Sequence, residues 1–431
     1  MKISVIGAGW AGCSAAVELA QQGHEVHWYE ASRTLGGRAR QVNVQGLDLD
    51  NGQHILLGAY KATLALLSTL GQHDALLRLP LQMCYPTGTG MQLIAPKLPA
   101  PLHMLFGLIR ATGLSRADKM ALLRFSSTAR WMDWQLNVDC RVAELLERFD
   151  QTPNLIRLMW QPLCIAALNT PIERASAQVF LNVLKDSLGA NRSASDMLIP
   201  RADLSTLLPQ PAAKLIAARG GKVHTGCAVQ ALIQQQNQWQ LHWASGTDTF
   251  DAVVIATPAH SARKLLEPLA MAHHIPEYEY EPITTCYLKY PAETKLDRPF
   301  LALIDRPEMA AWGQFVFDRG QLDGNAGLFA VVISASQLAN EQGHEQLAIE
   351  CAQQLATDLH RPELATPEWS QVITEKRATF ACTPNLPRPA NQLPLPNLVL
   401  AGDYTASRYP ATLEAAVQSG KIAASLLGRS A

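Results

Sequence analysis

The first thirty residues constrain the fold more than any other stretch. Ile3-Ser-Val-Ile6 runs directly into Gly7-Ala-Gly-Trp-Ala-Gly12, and a second apolar run ends at Glu30. A buried strand followed by glycines at this spacing predicts a strand-turn-helix unit that binds a dinucleotide. Gly7 makes the tight turn, Gly9 lets backbone amides near Trp10 and Ala11 approach a diphosphate, and Gly12 lets the helix pack on the sheet. The helix is expected to run to about Gly23 and a second strand from Glu25 to Glu30. Glu30 then stands 18 residues past Gly12, followed by Ala31. A carboxylate there accepts hydrogen bonds from a ribose 2′-hydroxyl and disfavours a 2′-phosphate.

The segment just after the βαβ unit separates FAD from NAD. In Arg33-Thr-Leu-Gly36-Gly37-Arg38, adjacent glycines expose amides and Arg38 supplies a fixed cation, a combination suited to a second approach to the same diphosphate. Far along the chain, Asn397-Leu-Val-Leu-Ala-Gly402-Asp403 reads as another buried strand ending in glycine and an acid, with a helix beginning near Thr412-Leu413. Asp403 is placed to hold a ribityl hydroxyl. The helix start offers amide donors and a positive dipole end to a flavin whose reduced form is anionic at N1 and O2. A third piece of the same sheet is expected between Gly221 and Pro258, with Val229 meeting the adenine through its backbone and Thr257 ending a strand near the cofactor.

The fold class expected is therefore α/β, a Rossmann-like FAD-binding domain drawn from residues 1–80, 200–270 and 390–431. It is interrupted by a mixed α+β substrate domain, mainly helical over 80–200 and sheet-containing over 270–390. In the first insertion Ser115 with Asp118 reads as a capping box, and Thr152-Pro153 as a cap with a first-turn proline. In the second, strands are expected over Thr284–Tyr290, Trp312–Asp318 and Gly327–Ser334, with a covering helix over Glu345–Leu359.

A net charge of −1 gives no electrostatic footprint for nucleic acid, and a hydrophobic share of 48% is ample for a large core. The eight cysteines are scattered, with no Cys-x-x-Cys pair and no metal-site spacing with histidine. They read as reduced thiols of a cytoplasmic protein, and no metal is expected. No apolar run is long enough to predict a membrane span.

With these motifs the chain resembles the FAD-dependent amine oxidase and phytoene desaturase superfamily. It is similar more narrowly to the squalene-associated, hydroxysqualene dehydroxylase branch. The narrower resemblance rests on Leu49-Asp-Asn-Gly-Gln-His-Ile-Leu-Leu-Gly-Ala-Tyr60, on Trp160-Gln-Pro-Leu-Cys-Ile-Ala-Ala-Leu-Asn-Thr-Pro171 and on Ser195-Asp-Met-Leu-Ile-Pro-Arg201. It implies reductive removal of an allylic hydroxyl from hydroxysqualene to give squalene, in hopanoid synthesis, with reduced FAD as electron source. It also implies that Gly52, Gln53 and His54 lie beside the flavin.

His54 is then either the proton donor for the leaving hydroxyl or an anchor for its loop. Asp196 and Arg201 either orient the hydroxyl or hold a helix junction. Tyr404 and Tyr409 bracket the C-terminal flavin loop, either facing the ring or packing.

A C30 isoprenoid is practically insoluble, so the substrate must arrive from a bilayer or from a partner enzyme of the squalene pathway. Residues 93–110, apolar with few cations, read either as a peripheral membrane contact at the inner face of the cell membrane or as a buried helix lining a channel. Residues around Met159-Trp160 would line the tunnel or simply pack. The rival readings are a polyene desaturase using oxidised FAD, an amine oxidase, and a non-catalytic prenyl-lipid carrier that keeps FAD as a structural element.

Overall fold

The computed structural model describes residues 1–428. Its organising element is a five-stranded, all-parallel sheet built from β1 (Lys2–Ile6), β2 (Glu25–Tyr29), β3 (Lys222–His224), β4 (Ala252–Ile255) and β5 (Leu398–Leu400), in the order β3-β2-β1-β4-β5. Runs such as Ile3-Ser-Val-Ile6 and Ala252-Val-Val-Ile255 carry no polar alternation because both faces of a parallel sheet are covered. One face is covered by α1 (Trp10–Gln21) and by a helix over Pro209–Ala218.

The helix α4 (Leu413–Gly428) packs with α1 in the same core. Its buried Glu414 accepts hydrogen bonds from the amides of Ala62 (3.0 Å) and Thr63 (2.9 Å) and from the Thr63 hydroxyl (2.7 Å). This ties α4 to the free amides at the start of the helix Lys61–Thr69.

The middle of the chain departs from expectation in one respect. Lys222–His224 and Ala252–Ile255 join the parallel sheet, but Val229–Gln235, Gln238–Trp243 and Gly246–Phe250 form a separate three-stranded antiparallel meander. Trp239 and Leu241 are buried while Gln238 and Gln240 face outward, and that alternation belongs to a sheet wetted on one side.

The rest of the chain has two parts. One is helical and includes α2 (Leu102–Arg110) and α3 (Arg116–Trp131). Both capping features are realised: Ser115 and Asp118 cap α3 reciprocally, and the Thr152 hydroxyl accepts from the Leu155 amide. The other part is a five-stranded antiparallel sheet, in the order Phe300–Ala302, Phe315–Asp318, Leu328–Ser334, Tyr280–Lys289, Trp369–Phe380. A helix over His344–Asp358 covers it through Leu347, Cys351 and Leu355. Strands over Leu56–Leu57 and Leu76–Leu79 pair with Met197–Pro200, stitching the two halves together.

Candidate active site

The end of β1 delivers a loop shaped for an anion. Gly7 has φ +105°, its amide donates to the Tyr29 carbonyl at 2.7 Å, and a Cβ on it would lie 2.6 Å from the Ala256 carbonyl oxygen. Gly9, by contrast, faces open space: a Cβ there would meet nothing within 4 Å. It precedes α1 without any side-chain cap, so the first-turn amides of that helix have no side-chain acceptor.

The Leu35–Arg38 turn lies against this loop. The Gly36 amide donates to Ala8 O at 2.8 Å, and a Cβ on Gly37, at φ +62°, would sit 3.0 Å from Gly9 Cα. Glu30 accepts from the Ala8 amide (2.7 Å) and the Ser32 amide (2.8 Å), which aims its carboxylate while leaving lone pairs for hydroxyl donors. Cys227 N donates to Glu30 O (2.8 Å) and Gly226 N to Ser32 O (2.9 Å), bringing Val229 to the same end. Ala31 lies between the two.

The second cluster joins the other segments. Arg38 donates to Asp403 (2.7 Å) and to the Ala378 carbonyl (2.6 Å), so residues from three distant stretches meet at one guanidinium. They border a pocket of about 390 Å³ lined by Arg38, His260, Tyr280, Glu375, Asp403 and Tyr404, among others. The loop Asn51–His54 adjoins it, because Asn51 donates to the Arg38 carbonyl (3.2 Å) and to Glu375 (3.3 Å). Arg388 fastens the C-terminal loop through the carbonyls of Ser407 (3.1 Å), Tyr409 (2.5 Å) and Asp403. Thr412 accepts from the Ala415 amide (3.2 Å) just ahead of Leu413, where α4 begins.

Several buried polar atoms in this region have no protein partner, namely the hydroxyls of Thr257 and Tyr404 and Nδ1 of His260. Buried polar groups are rarely left unpaired, so such a set fits a bound polar molecule. With the open cradle at Gly9, the residues present fit FAD.

His54 sits at the margin. Its Nδ1–H donates to the Gly52 carbonyl at 2.7 Å, and burial, with Arg38 nearby, holds the imidazole below its ordinary pKa. A neutral ring with that tautomer presents Nε2 as an acceptor, which weighs against proton donation. Tyr404 is buried and its phenol is pushed far above its usual pKa by desolvation, so it remains protonated.

Asp196 is not among the residues lining the pocket. It is buried and paired with Arg78 (2.9 Å) and Arg192 (3.8 Å), the junction-holding alternative. The amide of Arg201 donates to Ala75 O (2.9 Å) in the same junction. Tyr409 bonds Asp186, and Trp160 is packed against Phe125 with its indole N–H on Gln151 (2.9 Å).

Histidines wholly or partly buried carry a pH consequence. His54, His103, His224 and His260 are all lowered, with desolvation the largest cause. A depressed folded-state pKa contributes stability present above the unfolded value near 6.5 and lost as the pH falls through the folded value. Asp50, pushed up to about 6 by burial, acts oppositely, losing stability as the pH rises towards 6. Glu281 and Asp305, also raised by burial, act as Asp50 does, but the four histidines titrate nearest neutrality, and a lower melting temperature is expected at pH 5 than at pH 7.5. A scanning calorimeter would read this, and equal values would contradict the neutral-histidine assignment.

Sequence reasoning did not single out Tyr280, Glu375, Arg388 or Arg319. Arg319 is 2% exposed, donates to Gln53 (2.5 Å) and to Asp323, and lies 3.6 Å from Asp50. Tyr287 donates to the Asp50 carbonyl at 2.8 Å. The loop carrying Gly52 to His54 therefore rests on a buried ionic cluster contributed partly by the antiparallel sheet.

A glycine loop at the end of β1, an acid at the end of β2 and a pocket shared by distant chain segments are the frame of a flavin-dependent oxidoreductase. The chain belongs to the flavin-containing amine oxidoreductase family, whose profile matches residues 10–427. It is 30% identical to the hydroxysqualene dehydroxylase of Rhodopseudomonas palustris, over 99% of this chain and 98% of that one. It is 23% identical to the zeta-carotene desaturase of Zea mays, over 98% of this chain and 82% of that one. Among solved structures, cyclohexylamine oxidase from Brevibacterium oxydans superposes with a TM-score of 0.71 at 16% identity, covering 100% of this chain and 99% of that one. The protein is thus an FAD-dependent enzyme with a Rossmann-like cofactor fold, and the reading as a non-catalytic carrier gives way.

Proposed function

We propose that this enzyme removes the allylic hydroxyl of hydroxysqualene reductively, giving squalene and water, in hopanoid and triterpenoid synthesis. The observation that carries this is full-length similarity to hydroxysqualene dehydroxylase, 30% over 99% of the chain. The allylic C–O bond breaks, the oxygen leaves as water with one added proton, and a hydride forms the new C–H bond. Reduced FAD supplies that hydride when bound.

The chain's own residues hold, orient and dry the site. Gly7, Gly9, Trp10, Ala11, Gly12, Gly36, Gly37 and Arg38 are assigned to the diphosphate, and Glu30 and Ala31 to the adenosine ribose. Val229 is assigned to the adenine, Thr257, Gly402 and Asp403 to the ribityl chain, and Thr412, Leu413, Gly52, Gln53 and His54 to the ring. Residues 1–80, 200–270 and 390–431 form the cofactor domain in this reading. His54 Nε2 accepts from the substrate hydroxyl, and the unpartnered Tyr404 phenol donates to the leaving oxygen. Asp196 acts through structure. The enzyme works in the cytoplasm, at the inner face of the membrane.

The test is product analysis with purified holoenzyme under anaerobic conditions. Pre-reduced flavin and hydroxysqualene are expected to yield squalene, with Tyr404→Phe keeping its FAD but losing at least tenfold in turnover. Similarity to zeta-carotene desaturase favours a second reading, oxidative desaturation of a polyene. In that case the oxidised flavin bleaches on mixing with a polyene and no squalene forms.

A further inference from the structure

The face of α2 that should be buried is not. Leu102, Leu105, Phe106 and Ile109 follow the i, i+3, i+4, i+7 spacing of a single helical stripe, and all four are exposed, Ile109 at 58%. The opposite side carries His103, Gly107 and Leu108, and these are buried. Beneath it, His103 Nε2 lies 3.4 Å from Ser195 Oγ, so the helix sits directly over the Ser195–Arg201 block.

The next helix repeats the pattern. Met120 (53%), Leu123 and Trp131 (87%) lie on the solvent face of α3. Lys119 Nζ donates to the carbonyls of Ile109 (2.9 Å) and Ala111 (2.8 Å), which joins the start of α3 to the end of α2. Exposed Ile94 lies beside α2, because Gly107 packs on Ala95.

Charge selects what covers this surface. Between Ile94 and Trp131 the chain holds Lys97, Arg110, Arg116, Lys119, Arg124 and Arg130 against the single acid Asp118, in a protein of net charge −1. Asp118 is buried in its capping box with Thr152 and Asn154, so it does not offset the rim. The following acid, Asp133, is paired with Lys185 at 2.8 Å. An apolar stripe with a cationic border and an exposed tryptophan matches an anionic bilayer: rings and aliphatic tips enter the interface while the cations meet headgroups. Among the described residues no helix is long and apolar enough to cross a membrane. The contact is therefore in-plane.

We propose that α2 and α3 form a docking surface for anionic lipid, through which the enzyme draws an apolar substrate from the bilayer. The source of the substrate rests on the reaction proposed above; the lipid contact does not. The apolar stretch legible in the chain ends at residue 110 and holds few cations, whereas the fold adds the whole of α3.

Sedimentation of the FAD-loaded enzyme with vesicles tests it directly. Partition onto phosphatidylcholine vesicles containing phosphatidylglycerol is expected to exceed that onto phosphatidylcholine alone by about tenfold or more, falling as salt rises. Trp131 fluorescence should shift to the blue on binding. Phe106→Ser with Ile109→Ser, and separately Arg116→Glu with Arg124→Glu, should each lower partition about tenfold while the flavin spectrum and the turnover of detergent-dispersed substrate stay unchanged.

Wild-type enzyme that ignores anionic vesicles, or variants that bind as well as wild type, would overturn the proposal. So would a dimer that the serine substitutions convert to a monomer, because that result gives the surface to a second copy. Loss of turnover with vesicle binding intact would count against the reaction and leave the docking surface standing.

Discussion

Gly37→Val is expected to purify as folded but colourless protein. At φ +62° a β-branched side chain is strained by about 1–3 kcal/mol, and its Cβ would press to 3.0 Å from Gly9 Cα. The turn can relieve this only by moving away from the phosphate loop, and Gly36 N then loses its bond to Ala8 O. The parallel sheet is untouched, so folding should persist while the diphosphate cradle opens.

Glu30→Ala should act from the ribose side, freeing the Ala8 and Ser32 amides and removing the acceptor for the sugar. Losing charge-assisted bonds worth about 1.5–3 kcal/mol each predicts FAD affinity lower by roughly a hundredfold. The ratio of visible flavin absorbance to protein absorbance, and the FAD released on gel filtration, measure both effects. Full yellow colour in Gly37→Val would remove the basis for the cofactor geometry.

Arg319→Met is expected to be the most destabilising change outside the cofactor loop. The guanidinium is buried with Asp50, Asp323 and Gln53, and breaking a buried ionic cluster from one side costs about 3–5 kcal/mol because a charge is left uncompensated. Asp50 is already pushed up to about 6 by desolvation even with Arg319 opposing that shift. Without the cation it should stay protonated near neutral pH. Adding Asp50→Asn to Arg319→Met should therefore recover part of the loss.

The substitution also frees Gln53, so the flavin absorption bands should broaden or shift even in protein that remains folded. Chemical denaturation together with the absorption spectrum separates the two consequences. Stability within about 1 kcal/mol of wild type would show the cluster to be dispensable.

Both predictions concern neighbouring parts of one site, but only one was legible in the chain. Gly7 to Gly12, Glu30 and Gly36 to Arg38 are local: their geometry follows from a strand, a turn and a helix start within forty residues. Asp403 was legible for the same reason, standing at the end of a short buried strand.

Arg319, Arg388, Tyr280 and Glu375 left no such trace. Arg319 meets Gln53 across 266 residues, and a lone arginine after Phe315–Asp318 reads as the polar end of an ordinary strand. The meander over Val229–Phe250 reads as part of the parallel sheet because strand-like runs do not state their partners. The outward face of α2 stayed one of two readings, since periodicity locates an apolar stripe without saying which side is outward.

The order of strands has a consequence for biosynthesis. β5 and α4 are made well after β4 and α1, beside which they lie, because roughly 140 residues of the sheet-bearing insertion separate β4 from β5. The nascent chain must therefore wait, with the edge of its first sheet unpaired, until that insertion and β5 have left the ribosome. Chaperone demand during that interval is a cost inherited from this topology.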